Sequence, residues 1–154
     1  MHILKRTIKL PITIEKAWSF FSDPRNLKEI SPDYMGFEIT SDFFQESMYA
    51  GMIITYKVRP MLGIKMNWMT EITQIKEQLF FIDEQRVGPY KMWHHQHHFK
   101  VIDGGVEMID IVNYVLPFGF VGKLFEPVLV KGKLEEIFNY REEKMKTLFG
   151  EMNS

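Results

Sequence analysis

His95 and His97 are the side chains of this sequence best suited to chemistry. They stand two apart in Trp93-His94-His95-Gln96-His97-His98-Phe99, and residues two apart on an extended strand share a face. One face therefore carries Trp93, His95, His97 and Phe99, and the other carries His94, Gln96 and His98, which we expect to meet solvent. An imidazole steadied by a carboxylate can orient a ligand carbonyl or hydroxyl, or serve as the base of an enolisation or aldol-type cyclisation. Two imidazoles between an indole and a phenyl ring suit neither a dry core nor a wet surface. They suit the wall of a ligand cavity.

The carboxylates can be located by register. Asp103-Gly104 between two alternating runs predicts a two-residue hairpin turn that pairs Ile102 with Gly105. His97 then faces Asp110, Trp93 faces Tyr114 and Phe99 faces Met108. On the other side, pairing Gln85 with Trp93 sets Asp83 opposite His95 and Phe81 opposite His97. Two Asp–His neighbours follow, to be read as ligand-orienting groups or as mutual satisfaction of buried polar atoms. His95 and His97 with Asp83 or Asp110 also make a conceivable zinc or iron ligand set. Because both imidazoles already have carboxylate neighbours, we expect no metal.

The elements that position these groups follow from periodicity. Residues 2–12 alternate and read as a first strand. Thr13 caps a short helix that stops at Ser22-Asp23-Pro24, and Pro24 suits the first turn of a second short helix, 25–30. Strands are predicted near 36–43, 51–58, 64–76, 79–87, 91–102 and 105–116, and several are separated by turn-forming pairs such as Arg59-Pro60 and Gly88-Pro89. Residues 118–130, interrupted by Gly119, Gly122 and Pro127, read as irregular or broken helix that could act as a gate. From Lys131 the period is helical, with Leu134, Ile137, Phe138, Met145, Leu148 and Phe149 in one stripe. Arg141 falls inside that stripe. An unpaired buried charge is costly, so we expect it to reach Asp83 or Asp110 in an ion pair or through water, with a ligand anion as the further possibility.

The order of elements predicts an α+β architecture: a curved antiparallel sheet of six to seven strands wrapped around a long C-terminal helix, with two short helices after the first strand. That order, together with particular residues, resembles the START-like superfamily, also called SRPBCC, which includes the birch-pollen-allergen-like proteins and polyketide cyclases. The residues are Asp23-Pro24 with Asn26-Leu27, Trp68 with Glu71-Ile72, Phe81 with Asp83 and Gln85, and Gly88-Pro89. They continue with Trp93, His95, His97 and Phe99, then Asp110 with Tyr114, Leu116-Pro117, and Ile137-Phe138 with Tyr140-Arg141. The resemblance runs end to end, so residues 1–154 are read as a single domain, similar to small bacterial ligand-binding members. It implies a helix-grip fold with a hydrophobic cavity, and transfers no catalytic residue.

Composition narrows the function. A chain of 154 residues buries roughly 70% of its unfolded surface, enough for a core without staples. Eleven methionines and 14% aromatics supply pliable and flat lining material. A net charge of −1, with bases scattered among acids, argues against nucleic acid as a partner. No run approaches the ~18 apolar residues of a membrane span. Zero cysteines exclude disulfides and thiol chemistry, and the charged opening residues do not read as a signal peptide, so a cytoplasmic location is expected. There is no phosphate loop or dinucleotide fingerprint, and no cofactor is expected.

Three functions compete. The first is binding of a small, largely hydrophobic ligand (lipid, quinone, isoprenoid or polyketide-like) by Trp68, Phe81, Asp83, Gln85, Trp93, His95, His97, Phe99, Asp110, Tyr114 and Arg141. The second is a cyclase, dehydratase or isomerase that uses the His–Asp pairs. The third is a protein-interaction module built on the apolar 118–130 segment.

Overall fold

The computed structural model describes residues 1–42, 47–59, 63–117 and 127–152. Strand β1 (His2–Leu10) leads into helix α1 (Ile14–Phe21). Thr13 caps α1, its Oγ1 accepting from the Lys16 amide at 3.3 Å. The second predicted helix is instead a 3-10 segment, Pro24–Lys28, started by the Asp23 carboxylate, and a further 3-10 turn spans Asp33–Met35. Five residues carrying a proline at the start are too few to settle into α geometry.

Strands β2 (Glu38–Ile39), β3 (Ile53–Val58), β4 (Met66–Lys76), β5 (Phe80–Val87), β6 (Met92–Ile102) and β7 (Gly105–Val115) follow. Together with β1 they form one antiparallel sheet in the order β1-β7-β6-β5-β4-β3-β2. The predicted 36–43 strand shrinks to the two residues of β2 among those described, and Pro60 of the Arg59-Pro60 turn lies outside them. Gly104, at φ +77°, makes the two-residue turn, and Ile102 pairs with Gly105 as the Asp-Gly signal requires. Between β4 and β5 the register slips at two places, between Met69 and Thr70 and between Ile72 and Gln74. Thr73 is the extra residue of the second bulge, so Ile72 and Ile75 both turn inward although three apart.

Helix α2 (Pro127–Phe149) covers the inner face of the sheet. It begins four residues before the predicted Lys131, with Pro127 in the first turn where its missing N–H costs nothing. Positions 118–126 of the predicted gate and interaction segment lie outside the described residues. Leu134, Ile137, Phe138 and Met145 are buried as the stripe requires, and Phe149 packs on Phe20 and Phe21, but Leu148 is 41% exposed and leaves the stripe. The Glu142–Lys146 pair closes at 3.1 Å, and Gly150, at φ +92°, ends the helix.

The buried side chains fall into two clusters. One gathers α1, the 3-10 segment and Met145 around Phe81 and Phe99. The other gathers Leu134, Ile137 and Phe138 against Trp68, Tyr90, Val112 and Tyr114. Among the described residues no helix is long and apolar enough to cross a membrane.

Candidate ligand cavity and its polar end

Between these two clusters lies a cavity of about 170 Å³ bounded by the sheet, α2 and the α1 end of the molecule. Its walls are mostly apolar, with Trp68, Phe81, Trp93 and Phe138 among the rings that line it. One region is polar: Asp83 from β5, His95 and His97 from β6, Asp110 from β7 and Arg141 from α2 all line the cavity.

Strand register creates this cluster. Asp83 pairs with His95, Phe81 with His97 and His97 with Asp110, all on the inward face. The four polar groups close a ring of contacts. His97 Nε2 lies 2.8 Å from Asp83 Oδ2, and His97 Nδ1 lies 3.0 Å from Asp110 Oδ1. His95 Nε2 lies 2.9 Å from Asp110 Oδ1, whereas His95 Nδ1 is 3.6 Å from Asp83 Oδ2. His95 is thus hydrogen-bonded to the diagonal Asp110, whereas His97 meets both the diagonal Asp83 and Asp110 directly opposite it.

The geometry assigns protons. Both nitrogens of His97 face carboxylate oxygens, so both must carry hydrogen and the ring is an imidazolium. His95 donates from Nε2 to Asp110, and its Nδ1, beyond hydrogen-bond reach of Asp83, is left as an acceptor. Energetics agree. Burial pulls the His97 pKa down, but the hydrogen bonds to Asp110 and Asp83 outweigh it and the net shift is upward. Burial, reinforced by the neighbouring His97 charge, lowers His95 despite its Asp110 bond. Burial would raise both aspartates, yet the imidazole contacts hold Asp110 far below the usual carboxylate range and Asp83 below it too. The Phe81 ring stacks on His97 with centroids 4.1 Å apart, and the two imidazole centroids are 3.7 Å apart.

Arg141 does not make the direct ion pair expected of it. It forms no ion pair with Asp83, Asp110 or any other carboxylate among the described residues. Its Nε is buried without a hydrogen-bond partner there, and its guanidinium lies over the Phe138 ring at 4.9 Å. The imidazoles gather on Asp83 Oδ2 and Asp110 Oδ1, and the guanidinium meets neither carboxylate. Burial lowers its pKa, with Asp110 and Asp83 partly offsetting this from a distance.

Other predicted residues separate. Trp68, Phe81, Asp83, Trp93, His95, His97, Asp110 and Arg141 line the cavity, whereas Gln85, Phe99 and Tyr114 do not. Gln85 turns its amide to the turn that follows β5, donating to the Tyr90 carbonyl at 2.7 Å and accepting from the Tyr90 amide at 3.2 Å. Phe99 packs with Trp18 and Phe21 near α1. Tyr114 lies behind Tyr90 and stacks on His2 at 5.1 Å. On the opposite face, His94 and His98 are half-buried rather than freely wetted. His94 contacts Glu84 at 2.8 Å, and His98 contacts Gln96 at 2.9 Å.

Sequence reasoning missed Tyr56, Thr70 and Tyr90 as lining residues. Thr70 Oγ1 accepts from Trp68 Nε1 at 3.1 Å and lies 3.0 Å from the Tyr56 hydroxyl, so all three polar tips in that wall are satisfied. Strand parity alone, carried from Trp68 to Thr70 and from Ile54 to Tyr56, was signal enough for two of them. Tyr90 sits in a turn, where parity says nothing.

Donor atoms of Asp83, His95 and His97 lie within 4.8 Å of one another, a spacing that three ligands of one cation could share. A cation there would have to displace the protons that join His97 to its carboxylates and stand beside the Arg141 charge. The donor set therefore fits an internal ion-pair network better than a metal centre.

No family model and no curated protein matches the sequence. Solved structures do. A START superfamily protein from Mycobacterium smegmatis is 12% identical, covering 96% of this chain and 99% of that one at a TM-score of 0.67. A Chromobacterium violaceum protein is 11% identical, with 99% and 100% covered and a TM-score of 0.72. Ara h 8.0201 is 14% identical, with 95% and 98% covered and a TM-score of 0.58. At these identities the likeness speaks for architecture alone: the chain shares with these proteins a helix-grip arrangement of one antiparallel sheet and a long terminal helix.

Proposed function

We propose that the whole chain acts as one cytoplasmic ligand-binding domain, holding a small, largely apolar molecule between α2 and the sheet. The observation that carries this reading is the cavity itself, apolar over most of its wall and polar at one end. A cavity of about 170 Å³ suits a compact ring system, since about 150 Å³ accommodates benzene in an engineered protein cavity. The START-like architecture supports the same reading by analogy.

Native mass spectrometry on gently purified protein is the direct test. A co-purified mass, lost on denaturation, is the expected result. Protein that is empty from every host, and whose Trp68 and Trp93 fluorescence ignores a panel of aromatic and isoprenoid compounds, would defeat the proposal.

One observation favours a second reading, an isomerase or cyclase. His95 Nδ1 is an unengaged acceptor on the cavity wall, placed as a general base would be. His97, already protonated between two acids, is not. His95→Gln should then abolish turnover of a bound enolisable ketone while leaving its affinity within about threefold.

A further inference from the structure

This inference rests on the binding reading above and narrows the ligand. Arg141 lines the cavity, and its buried Nε–H has no acceptor among the described residues. A pure hydrocarbon in the cavity would leave that donor unsatisfied, a costly arrangement. The ligand must therefore offer an acceptor.

Charge decides which kind. Asp83 and Asp110 carry two negative charges; the His97 imidazolium and Arg141 carry two positive ones, and His95 is neutral. The polar end is thus formally balanced. The other charged residues lining the cavity are balanced as well: Asp23 pairs with Arg25 at 2.6 Å and Lys133 with Glu136 at 2.8 Å. Arg6, opposite Asp110 in the register, neither lines the cavity nor pairs with Asp110, and stands outside this balance. A carboxylate ligand would add an uncompensated negative charge beside two aspartates in apolar surroundings. A neutral carbonyl satisfies the donor and leaves the balance intact. The rings of Trp68, Phe81, Trp93 and Phe138 favour a flat body attached to that carbonyl.

We propose that the cavity takes a neutral, carbonyl-bearing ring compound, an aryl ketone or quinone in type, whose oxygen accepts from Arg141 Nε.

The test uses three ligands of one size: acetophenone, benzoate and ethylbenzene, titrated by NMR at pH 7.5 into the wild-type protein and into Arg141→Met. Comparing ratios between the two proteins removes the intrinsic water aversion of each compound. The acetophenone-to-ethylbenzene affinity ratio should fall at least tenfold in Arg141→Met, with ethylbenzene still bound. In the wild type, benzoate should bind at least tenfold more weakly than acetophenone. The Arg141 Nε–H resonance of the wild type should shift on adding acetophenone and not on adding ethylbenzene, a readout that stands even if the variant does not fold. An unchanged ratio, a silent Nε–H signal, or benzoate binding as tightly as acetophenone would overturn the inference while ethylbenzene binding keeps the cavity reading alive. Failure of all three compounds to bind would overturn both.

Discussion

The two cavity imidazoles carry one positive charge between them in the folded protein, and it sits on His97. An unfolded chain titrates each near the ordinary value of about 6.5. Below that pH the unfolded chain gains a second proton that buried His95 refuses, so folding weakens as acid is added. Above it the unfolded chain releases both, whereas His97 keeps its own until its raised pKa is reached, so stability also declines toward alkali. This pair alone should contribute at most about 1.4 kcal/mol per pH unit on each side, with a maximum near the ordinary imidazole value. Urea unfolding from pH 5 to 8 checks the curve, and histidine ring NMR should show His97 titrating above the ordinary imidazole value and His95 below it. A monotonic curve would mean the charge is not divided in this way. The depressed Asp83 and Asp110 contribute throughout this window and lose their effect only in stronger acid. Asp110→Asn, which strips a buried carboxylate from both rings, should cost about 3 kcal/mol in urea unfolding. Parity, the Asp-Gly turn and an assumed pairing of Gln85 with Trp93 made this quartet legible in the sequence, because antiparallel pairing fixes which residues face one another. The diagonal bonding was not legible. It depends on how each ring rotates within its pair, and the placement of the Arg141 guanidinium over Phe138 depends likewise on a rotamer the sequence does not give.

At the scale of elements, close approaches set the geometry. A Cβ at Gly105 would meet the carbonyl oxygen of Leu10, so the start of β7 can lie beside the end of β1 only if position 105 has no side chain. Gly105→Ala should therefore cost about 2 kcal/mol and raise hydrogen exchange along β1, with the β4–β5 amides unaffected. Thr13→Ala, which removes the cap of α1, should cost about 1 kcal/mol in the same measurement. Periodicity announced all seven strands and the long helix, though the second strand is much shorter than expected. The bulge at Thr73 was hidden, since it breaks the alternation that strand reading depends on. Gln85 was misplaced on the cavity side for a related reason. Parity gives the direction of its Cβ, but two hydrogen bonds to Tyr90 draw its amide away.

At the scale of the whole molecule, the cavity is the space left where the two core clusters do not meet. Filling it should separate stability from binding. Ile137→Trp, from a buried lining position on α2, has room to place its indole there; we expect folding stability within about 1 kcal/mol of wild type and loss of ethylbenzene binding by NMR. Bound ethylbenzene in that variant would mean the ligand sits elsewhere. The sheet order also carries a consequence for how the chain is made. His2 finds Tyr114 and Leu10 finds Val106, so the strand synthesised first must wait for nearly the last one before it has a neighbour. At ribosomal speeds of about 5–20 residues per second, that leaves an apolar segment bearing Leu4, Ile8 and Leu10 unsheltered for seconds. The newborn polypeptide should thus lean on a holding chaperone until the sheet closes, and swapping its start and end points around the β1–β7 seam should shorten that dependence.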